Sequence, residues 1–348
     1  MRSLRSYIPR ASVLALAVLI PACDDGSPTE PQDESAQTLT VDASQGWTFV
    51  DLGEPARVVQ IADPTTSPDW DIAFSATAVM LNGGAAGPGG VVGHCICQNA
   101  SATNAQLQAM TPESELADFE AVTAAQIPTD DSDWQSDALV PAISDWYRYD
   151  FQTHRVSPAS DKVWLIRAAE GVAYAKFRVV GIEGASQANA GKVTFEFAVQ
   201  AAKGAPMGAT QTATVDLSSG GKVYFDLVKG AVSDASDWDL VFEGYTIRVN
   251  GGVSGSGQAG AVAMTASFDE ITDASQVPSY PGDAYGGVFD SHRWYRYNIT
   301  GSDHQIWPTF DVYLIKRGAE VYKLQITSYY GPAGEARRVT FRYARLTD

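Results

Sequence analysis

The chain has 348 residues, with a hydrophobic content of 45%, a charged content of 19% and a formal net charge of −17. That is enough apolar material for packed domains and too much for a disordered polymer. The acidic balance excludes nucleic acid as a partner of the whole chain, because phosphate binding draws on a surplus of Lys and Arg.

At the N-terminus, Arg2, Arg5 and Arg10 form a basic region. The apolar run from Ala11 to Ala22 follows, too short to span a bilayer as a mature helix. It ends in Leu19-Ile20-Pro21-Ala22-Cys23. Small residues before a Cys resemble the lipobox of exported bacterial lipoproteins, in which the Cys becomes the lipidated first residue. Residues 1–22 are therefore read as a signal peptide and Cys23 as the lipidation site. Residues 23–37, rich in Asp, Glu, Ser and Pro, read as a flexible tether. The expected location is the cell envelope, lipid-anchored at the outer membrane or cell surface.

Two copies of one unit follow. Thr40-Val41-Asp42 returns as Thr214-Val215-Asp216, and Trp70-Asp71-Ile72-Ala73-Phe74 as Trp238-Asp239-Leu240-Val241-Phe242. Asn82-Gly83-Gly84 returns as Asn250-Gly251-Gly252, and Ile127-Pro128 as Val277-Pro278. Trp146-Tyr147-Arg148-Tyr149 returns as Trp294-Tyr295-Arg296-Tyr297, and Val193-Thr194-Phe195 as Val339-Thr340-Phe341. The order holds from end to end, which marks a duplication. Loop insertions shift the spacing, the largest lying in copy one between Gly84 and Phe119. The boundaries read as domain one at 38–203, a linker at 204–211 and domain two at 212–348.

The local pattern is β. Large apolar residues alternate at period two in the Trp-Asp blocks, in Tyr174–Val179 and in Tyr322–Ile326. Each Asn-Gly-Gly supplies turn residues that tolerate positive φ. The one helix predicted covers Ser114–Gln126, with Leu116, Phe119 and Val122 on one face and Ser114 as cap. The fold class predicted is all-β, mainly antiparallel with minor short helices, in two tandem domains.

Residues able to carry chemistry are few. HExxH, GxSxG and P-loop signatures are absent from the sequence, so no enzyme is predicted. Gly255-Ser256-Gly257-Gln258-Ala259-Gly260 matches GxGxxG but lies in a Gly-rich hairpin with no helix to receive a pyrophosphate. The acidic clusters Asp130-Asp131-Asp133 and Asp234-Asp237-Asp239 lack an EF-hand pattern and read as turn residues. His154 and His304 occupy equivalent places, each after a Trp-Tyr-Arg-Tyr block and before a Pro, whereas His94 and His292 are not equivalent to each other. Cys95 and Cys97 are a candidate disulfide or soft-metal pair in an exported chain. If extended, they share one face and His94 takes the other.

These blocks resemble the HmuY family of haem-binding bacterial lipoproteins. The resemblance rests on Trp-Asp-Ile-Ala-Phe, on Trp-Tyr-x-Tyr, on Thr153-His154-x-Val156-x-Pro158 with the apolar strand after it, on Tyr174-Ala175-Lys176, and on Ser328-Tyr329-Tyr330. It covers most of both copies. Copy two departs from it with Asp303 in place of the Thr and two inserted residues; copy one departs with Val180-Gly181-Ile182 in place of Ser-Tyr-Tyr. The resemblance implies a lipid-anchored, β-rich exported protein that binds haem or porphyrin non-covalently without turnover. Haem, or a haem-carrying protein, is then the partner, with an outer-membrane transporter as a further candidate. The candidate haem ligands are His154, His304, His94 and His292, and a low-spin iron needs two of them opposed across an apolar slot. The candidate slot aromatics are Trp146, Tyr147, Trp294, Tyr295 and Trp307, with Arg148 and Arg155 for the propionates. The rival reading is a duplicated interaction module whose aromatic grooves bind glycan, peptide or a partner protein.

Overall fold

The computed structural model describes residues 36–347. The signal peptide, Cys23 and nearly all of the tether lie outside the described residues. Among the described residues, no helix is long and apolar enough to cross a membrane.

Two five-stranded antiparallel sheets dominate. The first runs Gln37–Asp42, Ala336–Leu346, Glu320–Tyr330, Val312–Arg317, Val92–Cys95. The second runs Gln211–Asp216, Lys192–Gln200, Tyr174–Glu183, Val163–Arg167, Gly260–Met264. Each sheet therefore takes its outer strands from one repeat and its three central strands from the other. Equivalent pairs match residue for residue. Thr40 faces Thr340 and Thr194 faces Thr214, with hydroxyls 2.8 and 2.9 Å apart.

Each large sheet packs against a four-stranded sheet made from the repeat that gives the outer strands. The first small sheet holds Arg57–Val59, Thr48–Asp51, Ile72–Ser75 and Ala78–Leu81; the second holds Ala231–Ser233, Lys222–Asp226, Leu240–Glu243 and Thr246–Val249. Phe74 stacks on Phe341 in core one and Phe242 on Phe195 in core two, both at 5.3 Å between centroids. Core one thus joins the first half of repeat one to the second half of repeat two. Core two is continuous in sequence, over residues 138–283.

The expected partition at 204–211 marks the repeats but does not separate the cores. The reason is local. Residues 201–210 form a short hairpin connection, with Gly208 N donating to Val199 O at 2.8 Å and Gln200 Nε2 to Ala205 O at 2.9 Å. This connection lays Gln211–Asp216 beside Lys192–Gln200, so repeat two begins in the sheet where repeat one ends.

The chain crosses between cores twice. Asp137 accepts from Leu81 N at 3.0 Å; its equivalent Asp283 accepts from Val249 N at 3.1 Å and Ala142 N at 2.8 Å. The crossing segments then pair antiparallel, Ala138–Val140 with Ala284–Gly286, with Leu139 opposite Tyr285.

The Trp-Asp blocks explain themselves structurally. Trp70 and Trp238 are buried, and each following Asp turns inward to accept a backbone N–H: Asp71 from Leu52 at 2.7 Å, Asp239 from Leu227 at 2.8 Å. Asn82 and Asn250 donate to the carbonyls of Trp70 and Trp238 at 2.7 and 2.9 Å. Gly83 and Gly251 are required there, because a Cβ would lie 2.0 and 1.9 Å from the Val91 and Ala259 carbonyl oxygens. The GxGxxG segment is a loop that enters the Gly260–Met264 strand. Asp130 and Asp234 accept from Ser132 N and Ser236 N in turns.

The predicted helix over Ser114–Gln126 is shorter than expected. Leu116–Glu120 is α and Ala124–Gln126 is a 3-10 turn capped by Thr123. Ser114 does not cap; it bonds within its own turn to Thr111. Phe119 and Val122 are buried as the spacing requires, while Leu116 is exposed. Phe119 lies under Lys323, whose Nζ donates to Val122 O at 2.7 Å. Lys176 lies likewise over Phe268 and donates to Phe268 O and Ile271 O at 2.8 and 3.0 Å.

Candidate functional site

The Trp-Tyr-Arg-Tyr blocks build two small hairpins. Tyr147–Asp150 pairs with Arg155–Pro158, and Tyr295–Tyr297 with Ile306–Pro308. Alternation along the strand puts Tyr147 and Tyr149 on one face, and Tyr295 and Tyr297 on the equivalent face. The leading Trp of each block belongs to the core instead. Trp146 and Trp294 are 2% and 1% exposed, and Trp294 Nε1 donates to Thr77 O at 3.0 Å. They are therefore core residues and not slot aromatics, because each precedes its hairpin and points into the sandwich. Trp307 is half-buried and donates to Asp303 at 2.9 Å, so the Asp that replaces Thr in copy two holds this Trp.

Beyond each strand the chain turns through a His in the left-handed region, His154 at φ 54° and His304 at φ 51°. A non-glycine residue there is strained by about 1–3 kcal/mol, and such strain gathers at functional positions. In both hairpins the His ring is tied to the second Tyr. Tyr149 Oη lies 2.7 Å from His154 Nδ1, and Tyr297 Oη lies 2.8 Å from His304 Nδ1. The equivalence expected from spacing is thus matched by equivalent geometry.

Each hairpin borders a cleft closed by the other repeat. The cleft of copy one, about 810 Å³, is lined by Tyr147, Tyr149, His154, Arg155, Ile182 and Tyr245 and by the loop 184–187. Tyr147 and Tyr245 have ring centroids 5.0 Å apart, and Tyr245 donates to Ser186 O at 2.5 Å. Burial pushes the Tyr245 hydroxyl above its ordinary pKa, helped by Tyr147 and Tyr149. At the hairpin tip Phe151 is 83% exposed and packs edge-on against Tyr149 at 5.0 Å. Arg155 lines the cleft, whereas Arg148 is paired outside it with Asp161 at 2.5 Å. The cleft of copy two, about 700 Å³, is lined by Thr77, Tyr295, Tyr297 and Ile306 in equivalent places. Here Cys97, Asn99 and His292 also enter, from the copy-one insertion and the segment before Trp294.

The two hairpins differ in how firmly they are held. Arg296 donates to Ala102 O at 2.6 Å, which fastens the second hairpin to the insertion. From below, Tyr330 Oη accepts from Ile306 N at 3.1 Å. Copy one has Ile182 near that place, and its cleft stays open beneath His154.

His94 does not join His154. It sits on Val92–Cys95 in core one, its Nδ1 is 2.9 Å from Asp133 O, and its ring lies 6.1 Å from that of Trp134. The two belong to one repeat in sequence and to different cores in space. A bis-imidazole pair inside copy one is therefore not formed: among the residues lining the first cleft, His154 is the sole His. Copy two brings its pair closer, since His292 lines the second cleft and His304 holds Tyr297, which lines it too. Cys95 and Cys97 are joined as a disulfide. Sequence reasoning missed Tyr245, because its place in the cleft depends on packing between repeats, and the 184–187 loop, which connects Tyr174–Glu183 to Lys192–Gln200 within repeat one.

Two aromatic-lined clefts on an antiparallel β scaffold, each lined by residues of both repeats, are thus the candidate sites. The chain belongs to the HmuY family: the HmuY protein model matches residues 43–197 and 218–343. That family is associated with haem binding. Among solved structures the chain is similar to the apo HmuY analog of Tannerella forsythia, at 10% identity and a TM-score of 0.35, over 91% of this chain and 99% of that one. It is also similar to a "putative lipoprotein" of Bacteroides fragilis, at 17% identity and a TM-score of 0.15, over 47% of this chain and 93% of that one. No curated protein matches it.

Proposed function

We propose that this protein is a lipid-anchored, exported HmuY-family member that captures haem or a porphyrin without catalysis, with the cleft beneath His154 as the principal site. The observation that carries the reading is the repeated Tyr–His pair at a strained hairpin tip over an aromatic cleft. If Nδ1–H donates to the tyrosine oxygen, Nε2 keeps its lone pair for iron, and the tyrosine fixes the ring's orientation. Tyr147, Tyr149 and Tyr245 supply faces for a flat apolar macrocycle. Arg155 supplies a cation for a carboxylate. The cleft volume lies within the range of small-molecule sites. These residues fit haem with one imidazole from copy one. They support capture from a haem-carrying protein, with the exposed Phe151 tip as the leading edge.

A haemin titration tests this. Wild type should show saturable growth of a Soret band. His154→Ala should weaken binding at least about tenfold, a loss of roughly 1.4 kcal/mol, and His304→Ala should have the smaller effect. Unchanged binding in His154→Ala would make that residue structural. No saturable band in wild type would replace this reading with the interaction module for glycan, peptide or protein.

Lipid attachment at Cys23 is checked by labelling with a fatty-acid analogue in a bacterial host. Wild type should take up label and Cys23→Ala should not; equal labelling removes the anchor from the proposal.

A further inference from the structure

At the wall of the second cleft, apart from its Tyr–His pair, one cluster among the described residues joins three metal-ligating side chains from distant parts of the chain. Cys95 and Cys97 come from the end of the Val92–Cys95 strand, and His292 comes from the other repeat, just before Trp294. One ligand atom of each, the two sulfurs and an imidazole nitrogen, lies within 4.8 Å of the others. The strand fixes Cys95, which pairs opposite Tyr313. Cys97 sits in the left-handed region at φ 55°. The backbone of His292 is pinned at both ends: its N–H donates to Val288 O at 2.9 Å, and its carbonyl accepts from Tyr313 Oη at 2.7 Å. Asp311 lies near enough to interact electrostatically with His292; it is buried and accepts from Asn99 N at 2.8 Å. Cys97, His292 and Asp311 all line the second cleft, so the cluster can be reached from solvent.

We propose that Cys95, Cys97 and His292 form a redox-gated site for a thiophilic metal ion, of the Zn(II) or Cu(I) class, independent of haem capture. In the disulfide form the sulfurs are bonded to each other, and no thiolate is free to bind a metal. A dithiol reductant opens the site: the S–S bond breaks, the two sulfurs leave as thiols, and the reductant closes to its own disulfide. Metal binding then displaces both thiol protons to solvent, and two thiolates with one neutral imidazole supply three of four tetrahedral positions. The fourth faces the cleft, open to water or an incoming ligand. Two soft sulfurs beside one imidazole select this metal class over Mg²⁺ or Ca²⁺.

The test is a Co(II) titration of the full chain before and after treatment with a dithiol, under exclusion of air. The reduced wild type should develop thiolate-to-cobalt charge-transfer and tetrahedral ligand-field bands at one ion per chain, which Zn(II) then bleaches. The oxidised protein should develop neither. His292→Ala keeps every cysteine and alters an exposed side chain. It should bind more than about 100-fold more weakly, since even groups that merely support a ligand are worth roughly 10–100-fold. Cys97→Ala should lose the bands, with its thermal unfolding checked against wild type under the same reductant. The proposal is overturned if His292→Ala and wild type titrate alike, if the oxidised protein gives the same bands, or if the reduced protein gives none. A haemin titration of the double variant Cys95→Ala/Cys97→Ala, which keeps all four His, separates this site from haem capture, because Soret growth dependent on His154 should survive.

Discussion

Residues 212–348 expressed alone should fail to fold cooperatively, whereas residues 138–283 should unfold in one transition. The first fragment carries a complete sequence repeat, yet it leaves Val312–Arg317, Glu320–Tyr330 and Ala336–Leu346 without the flanking strands Gln37–Asp42 and Val92–Cys95. It also lacks the small sheet that covers Phe341, Tyr313 and Leu324 with Val50, Phe74 and Leu81. Each of these side chains gains about 1.5–3 kcal/mol from burial. Losing several exceeds the roughly 5–15 kcal/mol that a whole domain has in hand. The second fragment keeps all of core two, including Phe177, Phe195, Phe225 and Phe242. Urea titrations followed by near-UV circular dichroism decide the matter. A sharp transition in 212–348 would show that the copies can fold separately.

Asp137→Asn should stabilise the protein at pH 8 and change little at pH 4. Burial raises the Asp137 carboxyl to about 7, and Asp290 adds to the rise, while the hydrogen bond from Leu81 N opposes it. The unfolded carboxyl titrates near its ordinary value, about 3.9. Between these values the folded state holds a proton that the unfolded state has released. This contribution to stability is therefore fully present below about pH 4 and is lost as pH rises through 7. Three units correspond to at most about 4 kcal/mol, and relaxation around the charge reduces that to roughly 1–3 kcal/mol of relief in the variant. An Asn oxygen can still accept from Leu81 N. Urea midpoints of both proteins at pH 4 and pH 8 measure the effect. An equal difference at both values would mean that the Asp137 carboxylate is already charged within the fold across this range.

Much of the β architecture was legible in the sequence because it is local. Period-two alternation and the Trp-Asp and Asn-Gly-Gly blocks fix which residues form strands and turns, and the duplication shows that each occurs twice. The partnership of the strands was not legible. Strand 40–42 would meet the same Thr-bearing neighbour whether that neighbour were Thr194 or Thr340, so repeat sequences cannot tell pairing within a copy from pairing between copies. The placement of two lysines was not legible either. Lys176 and Lys323 alternate as solvent-facing residues would, yet both are buried with their ammonium groups on backbone carbonyls over Phe268 and Phe119. At the site, the Tyr–His equivalence was readable from spacing. The separation of His94 from His154 was not, because it follows from the two crossings at 138–140 and 284–286.

The exchange of halves also sets an order of events during synthesis. Among the described residues Gln37–Asp42 is the first strand to emerge, and its partner Ala336–Leu346 is the last. Core two is complete as soon as residue 283 is available, while the opening hundred residues still lack the strands that close core one. A ribosome delivering this chain from its N-terminus thus presents an unmatched half-sandwich, with the edges of its future sheet open, until Ala336–Leu346 arrives. Long-range pairing of this kind is slow and leaves apolar surface within reach of neighbouring chains. Core one therefore stays open until its eleven-residue strand Ala336–Leu346 closes it as a latch.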